Sequence, residues 1–294
     1  MTPTVLILGG NGRFGRNATE AFETAGWIVR QFDRATDNLW DAAWGAQVIV
    51  NAWNAPYADW ATVLPLQTRQ VIEVAEATGA TVIVPGNVYV FGTEAPEAFG
   101  PQTPHAATNP LGRLRVEMEA AYRNSNVRTI ILRGGDFLDT QASGNWFDMI
   151  MAKPLAKGKL TYPGPTDRPH AWAYLPDMAR AAVKLAEMRD DLNRFEDVPF
   201  PGYTLTGEEL TKAVAQVMGT PIKASPMSWT PLQIARPFWK MAKHLVEMRY
   251  LWSKPHHLDA TRFDALLPDF RHTPLEHALA SALQFQINPD KAVA

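Results

Sequence analysis

Apolar positions in the first half of the chain come in short runs, at residues 4–8, 27–32, 47–51, 81–84 and 128–132, rich in valine, isoleucine and leucine. Runs of that length predict strands buried on both faces. Between them the apolar positions recur at helical spacing, over residues 13–24, around 66–78 and over 112–123, where Leu114, Met118, Ala121 and Tyr122 fall on one face. Strands alternating with helices need crossover connections, which makes the strands parallel and puts helices on both sides of the sheet. The pattern therefore predicts a doubly wound α/β fold with at least five strands.

From Gly135 the texture changes, with Trp146, Pro154, Gly158, Pro163, Gly164, Pro165 and Pro169 punctuating short elements. The expected organisation is a dinucleotide-binding domain over 1–136, a first cap segment over 137–169, a return to the core over 170–196, and the remainder of a smaller C-terminal substrate cap over 197–294. Within it, residues 176–188 read as a helix and 197–202 as a loop. Thr206-Gly-Glu-Glu209 is a capping box that opens a helix over 206–218. Thr230-Pro231 begins a strongly apolar helix that contains Leu232, Phe238, Trp239, Met241, Leu245, Met248, Leu251 and Trp252, with a kink expected at Pro237. Its expected role is cap core; a mobile lid or a homodimer surface is the sharper alternative.

The run 4–8 leads into Gly9-Gly-Asn-Gly12-Arg-Phe-Gly15, which opens the first helix. Backbone without Cβ atoms turns sharply and lets a pyrophosphate approach, while the helix start offers free amides and a positive dipole end. Strand, loop, helix and second strand together predict a Rossmann sheet that binds a nicotinamide dinucleotide, with Gly9, Gly12, Arg13, Phe14 and Gly15 around its phosphates. Asp33, at the end of the second strand, suits the adenosine ribose hydroxyls and repels a 2′-phosphate, which favours NAD slightly. Arg34 and Arg13 argue the other way, for NADP, because a guanidinium binds a 2′-phosphate.

Composition narrows the chemistry. The 294 residues contain no cysteine, which removes disulfides, thiolate nucleophiles and cysteine-ligated metals. A net charge of −2 with no basic block argues against nucleic acid. The start of the chain lacks the features of a signal peptide, and no apolar run reaches membrane-spanning length, so the expectation is a cytoplasmic protein with no membrane partner. His256-His257, His272 and His277 lack metal-site spacing, so no metal is expected. There is no Gly-x-Ser-x-Gly elbow of a hydrolase.

Beyond the glycine loop, the sequence resembles the extended and atypical short-chain dehydrogenase/reductase superfamily, which contains the NAD-dependent epimerases and dehydratases. The resemblance runs nearly end to end, through Val48-Ile-Val-Asn-Ala52, Val82-Ile-Val-Pro-Gly-Asn-Val-Tyr-Val-Phe-Gly92, Asn109-Pro-Leu-Gly-Arg-Leu-Arg-Val-Glu-Met-Glu119, Leu132-Arg-Gly-Gly-Asp-Phe137 and Trp172-Ala-Tyr-Leu-Pro-Asp-Met-Ala179. It implies that Asn51, Ala52 and Trp53 lie beneath or beside the cofactor. It also implies a Tyr-x-x-x-Lys pair for proton transfer, yet Leu111 and Arg115 stand in those places and Asn87 replaces the hydroxyl that holds the substrate oxygen. Arg115 keeps a positive charge for the nicotinamide ribose but is no general base. The proton must then come from elsewhere. Tyr89, two residues past Asn87, and Tyr57, in the loop leaving the third strand, are the candidates.

For the substrate, Trp53, Tyr57, Asp136, Trp146 and His170 are the expected contacts. His170 stands approximately where the family's epimerases place an arginine on the substrate phosphate, which puts a nucleotide-sugar substrate in doubt unless Arg168 substitutes. Trp53, Trp146, Trp172 and Trp252 would form an aromatic wall for an apolar or ring-bearing molecule. Two functions fit: an atypical NAD(P)-dependent oxidoreductase or epimerase/dehydratase-like enzyme acting on a carbonyl or alcohol carbon of a small organic substrate, and a non-catalytic NAD(P)-binding sensor.

Overall fold

The apolar runs become strands whose side chains alternate between two buried faces. In the computed structural model, which describes residues 2–287, six parallel strands form the central sheet. Their spatial order is Phe195–Pro199, Thr129–Arg133, Thr81–Gly86, Val48–Asn51, Thr4–Leu8 and Ile28–Phe32. Val5 and Ile7 join Val48, Val50, Ile83, Ile130 and Leu132 under the helices Arg13–Thr24 and Leu175–Glu187. Leu6 and Leu8 face the other way, with Ile49, Val82, Val84 and Ile131, beneath the helices Trp60–Thr78 and Pro110–Asn124.

Thr4–Leu8 pairs with Ile28–Phe32 on one side and Val48–Asn51 on the other, so successive crossovers leave the first strand in opposite directions. Such a switch point opens a crevice at the carboxyl ends of the strands, where ligands of open α/β sheets bind.

A third core lies beside the sheet. Leu138, Phe147, Met151, Leu160, Tyr162, Trp172, Leu210, Trp229, Trp252 and Leu279 pack together. A three-stranded sheet, Tyr203–Leu205, His170–Tyr174 and Asp136–Leu138, carries this core, with a two-stranded pair, Lys159–Tyr162 and Lys223–Pro226. The capping box is made as the sequence predicts: Thr206 Oγ1 accepts from the amide of Glu209, whose carboxylate returns to the amide of Thr206.

Three elements differ from the sequence pattern. Residues 197–199 are strand rather than loop, because Asp197 is drawn into the sheet edge by Arg133. The helix expected around 66–78 starts earlier, at Trp60, tolerating Pro65 in its second turn because Trp60 and Leu64 are buried. The apolar stretch after Thr230 is two helices, Thr230–Ala235 and Lys240–Glu247, followed by a tight turn over Met248–Trp252. Pro237 separates the helices rather than kinking one, and Phe238 and Trp239 project outward instead of joining the cap core. Met1 and residues 288–294, assigned by sequence to the first domain and the cap, lie outside the described residues. Among the described residues, no helix is long and apolar enough to cross a membrane.

Candidate functional site

The glycine loop shows why each glycine is there. Gly9 leaves the first strand with φ at +81°, a left-handed turn that disfavours side chains, and its carbonyl accepts from the amide of Gly12 at 2.9 Å. Gly12 caps the helix without any side-chain bond, which leaves first-turn amides free of side-chain partners. A Cβ on Gly12 would meet the Gly9 carbonyl oxygen at 3.1 Å, whereas one on Gly15 would sit 2.1 Å from the same oxygen. Gly9 and Gly12 therefore shape a concave surface, while Gly15 lets the helix press against the loop from behind.

That surface forms one end of a cavity of about 1030 Å³. Single small-ligand pockets run to roughly 300–1,000 Å³, so the space suits a dinucleotide with a second molecule. Gly9, Gly12, Arg13 and Phe14 line it, but Gly15 does not. Asn51, Ala52, Trp53, Asp33 and Arg34 line the same end. Asp33 Oδ1 accepts from the amide of Ala35 at 2.9 Å, leaving Oδ2 open. The Arg34 guanidinium lies 5.2 Å over the Trp53 ring. Arg13 is differently engaged from what the sequence suggests: Nε and Nη2 donate to the carbonyls of Ser143 and Gly144 at 2.7 and 2.6 Å. One turn on, Arg16 pairs with Asp139 at 2.7 Å, so the start of the helix is clasped to the cap segment.

Toward the middle of the cavity the strand Thr81–Gly86 runs out and Asn87 caps a short turn, its Oδ1 accepting from the amide of Tyr89 at 3.0 Å. The amide nitrogen of that side chain remains a donor. Tyr57 and Tyr89, brought from loops 32 residues apart, place their hydroxyl oxygens 2.7 Å from each other. Burial raises the pKa of both phenols, and the shared hydrogen bond raises Tyr89 further while partly offsetting the rise at Tyr57. Arg115 reaches the cavity from the helix Pro110–Asn124, donating Nη2 to the Pro85 carbonyl at 2.8 Å. Leu111, one turn earlier, is buried in the core.

At the far end, Trp146, Trp252, Met248 and Leu251 face Asp136. His170 is not on the wall but behind it: Nε2 lies 2.7 Å from Asp136 Oδ2, and the ring is buried, stacked on Trp252 at 4.3 Å. Strand pairing explains this placement, since Asp136 and His170 begin neighbouring strands of the cap sheet. Trp172 is likewise core rather than wall, and Arg168 is half-exposed beside Asp167, away from the cavity.

Sequence reasoning assigned no role to Arg133, which supports the site from beneath. It is fully buried, bonded to Glu119 and Asp197 at 2.7 and 2.6 Å, and donates to the Asn87 carbonyl at 2.6 Å. His105, Glu119 and Asp197 are close enough to share a metal ion, but the Arg133 guanidinium already occupies the space between the two carboxylates. Burial lowers the His105 pKa, which keeps it a neutral neighbour of this network.

Among the described residues, two buried polar atoms of the cavity lining lack a partner, Asn51 Oδ1 and Arg115 Nε. Atoms of this kind normally bond to something. With the glycine cradle, the open Asp33 oxygen and the free helix start, they fit a nicotinamide dinucleotide.

The fold is shared with solved structures. MoeE5 in complex with UDP-glucose and NAD is 15% identical, with 97% of this chain and 99% of that chain covered at a TM-score of 0.74. A GalE-like L-threonine dehydrogenase from Cupriavidus necator is 20% identical, covering 96% and 99% at 0.71. A dTDP-glucose 4,6-dehydratase from Bacillus anthracis in complex with NAD is 14% identical, covering 99% and 98% at 0.73. At these identities the likeness is one of fold, the mostly parallel sheet of epimerases, dehydratases and short-chain dehydrogenase/reductases. No family model and no curated protein matches the sequence.

Proposed function

We propose that the chain is an NAD(P)-dependent enzyme of the oxidoreductase or epimerase/dehydratase type, acting on a carbonyl or alcohol carbon of a small organic substrate. The observation that carries this reading is that the glycine cradle and the tyrosine hydroxyl pair open on one cavity. Several neighbours in fold are described with NAD bound, which supports the same cofactor here.

In this reading the first-turn amides of the helix Arg13–Thr24 hold the pyrophosphate, and Asp33 Oδ2 accepts from the adenosine ribose. NAD is the slightly favoured form, with Arg34 the group that would bind a 2′-phosphate. Arg115 stays charged at neutral pH and donates to the nicotinamide ribose. When bound, the dinucleotide supplies or accepts the hydride. Asn87 donates its side-chain amide to the substrate oxygen. The raised pKa of Tyr57 and Tyr89 keeps both phenols protonated, so the pair works as a proton donor, the form that carbonyl reduction needs. The activity is assigned to the cytoplasm as part of the same proposal.

Calorimetry with NAD and NADP tests the binding half, and absorbance of the reduced nicotinamide across a carbonyl and alcohol panel tests the chemistry. Binding followed by substrate-dependent absorbance change is expected. Dinucleotide binding without turnover, but with altered association to another protein, would replace the enzyme by a sensor. No dinucleotide binding would end both.

A further inference from the structure

We propose that the far end of the cavity receives a cationic nitrogen, a protonated amine or ammonium of the substrate, held by the Asp136 carboxylate against aromatic rings. This rests on the proposed function only in giving the opposite end of the cavity to the dinucleotide.

The Asp136 carboxylate is half-used. Oδ2 accepts from His170, and among the described residues no group is bonded to Oδ1. Its side chain is 25% exposed, and among the described residues His170 is its only ion-pair partner within 4.0 Å. His170 is locked: its ring lies parallel to Trp252, at 5°, and against His256, centroids 4.5 Å apart. His256 is neutral, since burial, with His170 beside it, pushes its pKa down to about 3, and its Nδ1 is bonded to the Lys254 carbonyl. His256, the ring behind His170, therefore adds no positive charge for the open carboxylate oxygen. A carboxylate oxygen open in a partly enclosed site favours a charged donor.

The walls point to the same ligand. Trp146 and Trp252 meet edge to face at 5.4 Å, and Tyr57 and Tyr89 join them on the cavity surface. Aromatic faces around a carboxylate suit ammonium groups, which ring quadrupoles attract. An anionic substrate would have to lie against the Asp136 carboxylate there. Of the arginines lining the cavity, Arg13 is bonded to backbone carbonyls and Arg16 to Asp139. Arg34 lies over Trp53 and Arg115 is bonded to Pro85. A diphosphate at this end would meet the Asp136 carboxylate, and the Arg13 guanidinium bordering it is already bonded to two backbone carbonyls. We therefore separate this substrate from the UDP-sugars bound by MoeE5.

The test uses the full chain, alone and with saturating NAD, and three probes of one shape: phenethylamine, phenethyl alcohol and hydrocinnamate, with UDP as a fourth. Tryptophan fluorescence and calorimetry read binding. The amine is expected to bind about tenfold more tightly than the alcohol, with hydrocinnamate and UDP weaker still. Asp136→Asn, which still accepts from His170, should bring amine and alcohol within about twofold of each other while leaving melting temperature and NAD affinity unchanged. Trp146→Leu should weaken amine binding several-fold. Equal binding of alcohol and amine, preference for either anion, no binding of any probe, or an amine preference that survives Asp136→Asn each overturns the proposal. NAD titration in parallel separates the two readings: lost NAD binding with intact amine preference defeats the cofactor assignment alone, and the converse defeats the cation site alone.

Discussion

Replacing Arg133 by methionine keeps a long side chain and removes the charge on which two buried carboxylates depend. Burial alone raises the Glu119 pKa, and the guanidinium more than reverses this, so Glu119 titrates below its ordinary value. At Asp197 burial outweighs the same guanidinium, with the Glu119 charge adding to the rise, so its pKa is raised. In Arg133→Met both carboxyls lose the compensating charge, and removing one partner from such a buried network costs about 3–5 kcal/mol. Loss of the bond to the Asn87 carbonyl adds about 1 kcal/mol. For a chain of this length the sum corresponds to a melting temperature lowered by roughly 10 °C. The pH dependence has a definite sign. Without Arg133 the folded-state carboxyl pKa values lie above the unfolded ones, so stability relative to wild type is best preserved below the unfolded values and is lost as pH rises through the folded ones. Urea unfolding at pH 5 and pH 8 reads both effects, with the larger deficit expected at pH 8. Converting all three members, as Arg133→Met with Glu119→Met and Asp197→Leu, should recover most of the loss. A single variant within about 1 kcal/mol of wild type, or a triple variant no more stable than the single, would refute this account.

Under the proposed function, Tyr57→Phe or Tyr89→Phe should lower turnover roughly 100- to 10,000-fold in steady-state assays with little change in melting temperature, the scale of a lost general acid. Because burial raises both phenols, reduction should stay flat with pH up to their ordinary value of 10.0, while oxidation, which needs a proton acceptor, should climb with pH without a plateau below it. Gly15→Ala puts a Cβ 2.1 Å from the Gly9 oxygen, so it should cost about 1–3 kcal/mol and abolish NAD binding by calorimetry; Gly12→Ala, at 3.1 Å, should weaken binding with a far smaller loss of stability. Asp33→Ala should move the NAD-to-NADP affinity ratio toward NADP by about 1–3 kcal/mol, measured by paired titrations; an unmoved ratio would mean that the carboxylate does not meet the ribose.

Periodicity made the sheet legible because its strands are covered on both sides and read as unbroken apolar runs. The glycine loop was legible for a related reason: its chemistry is local, with Gly9, Gly12 and Gly15 inside seven consecutive residues. What the sequence withheld is contact across distance. Arg13 reaches Ser143, Arg133 joins Glu119 to Asp197, and His170 supports Asp136, and no spacing along the chain announces such partners. Charge told only part of the story: Arg13 lines the cavity as expected of an arginine in the glycine loop, but no signal in the sequence announced its bonds to the Ser143 and Gly144 carbonyls. The stretch after Thr230 shows the converse, where composition suggested a core helix and one proline turned Phe238, 91% exposed, into solvent.

The clasp between the helix start and the cap also bears on how the proposed cofactor would exchange. Arg13 and Arg16 tie the cofactor end of the cavity to the cap segment through Ser143, Gly144 and Asp139, so these bonds are the ones that would have to open if the proposed dinucleotide enters from that side. Under the proposed function, a clasp that has to open for exchange would slow both entry and release of the dinucleotide. A cofactor held in that way would suit a reaction that returns the hydride to the substrate it came from, and the rate at which bound NAD exchanges with free NAD measures the clasp directly.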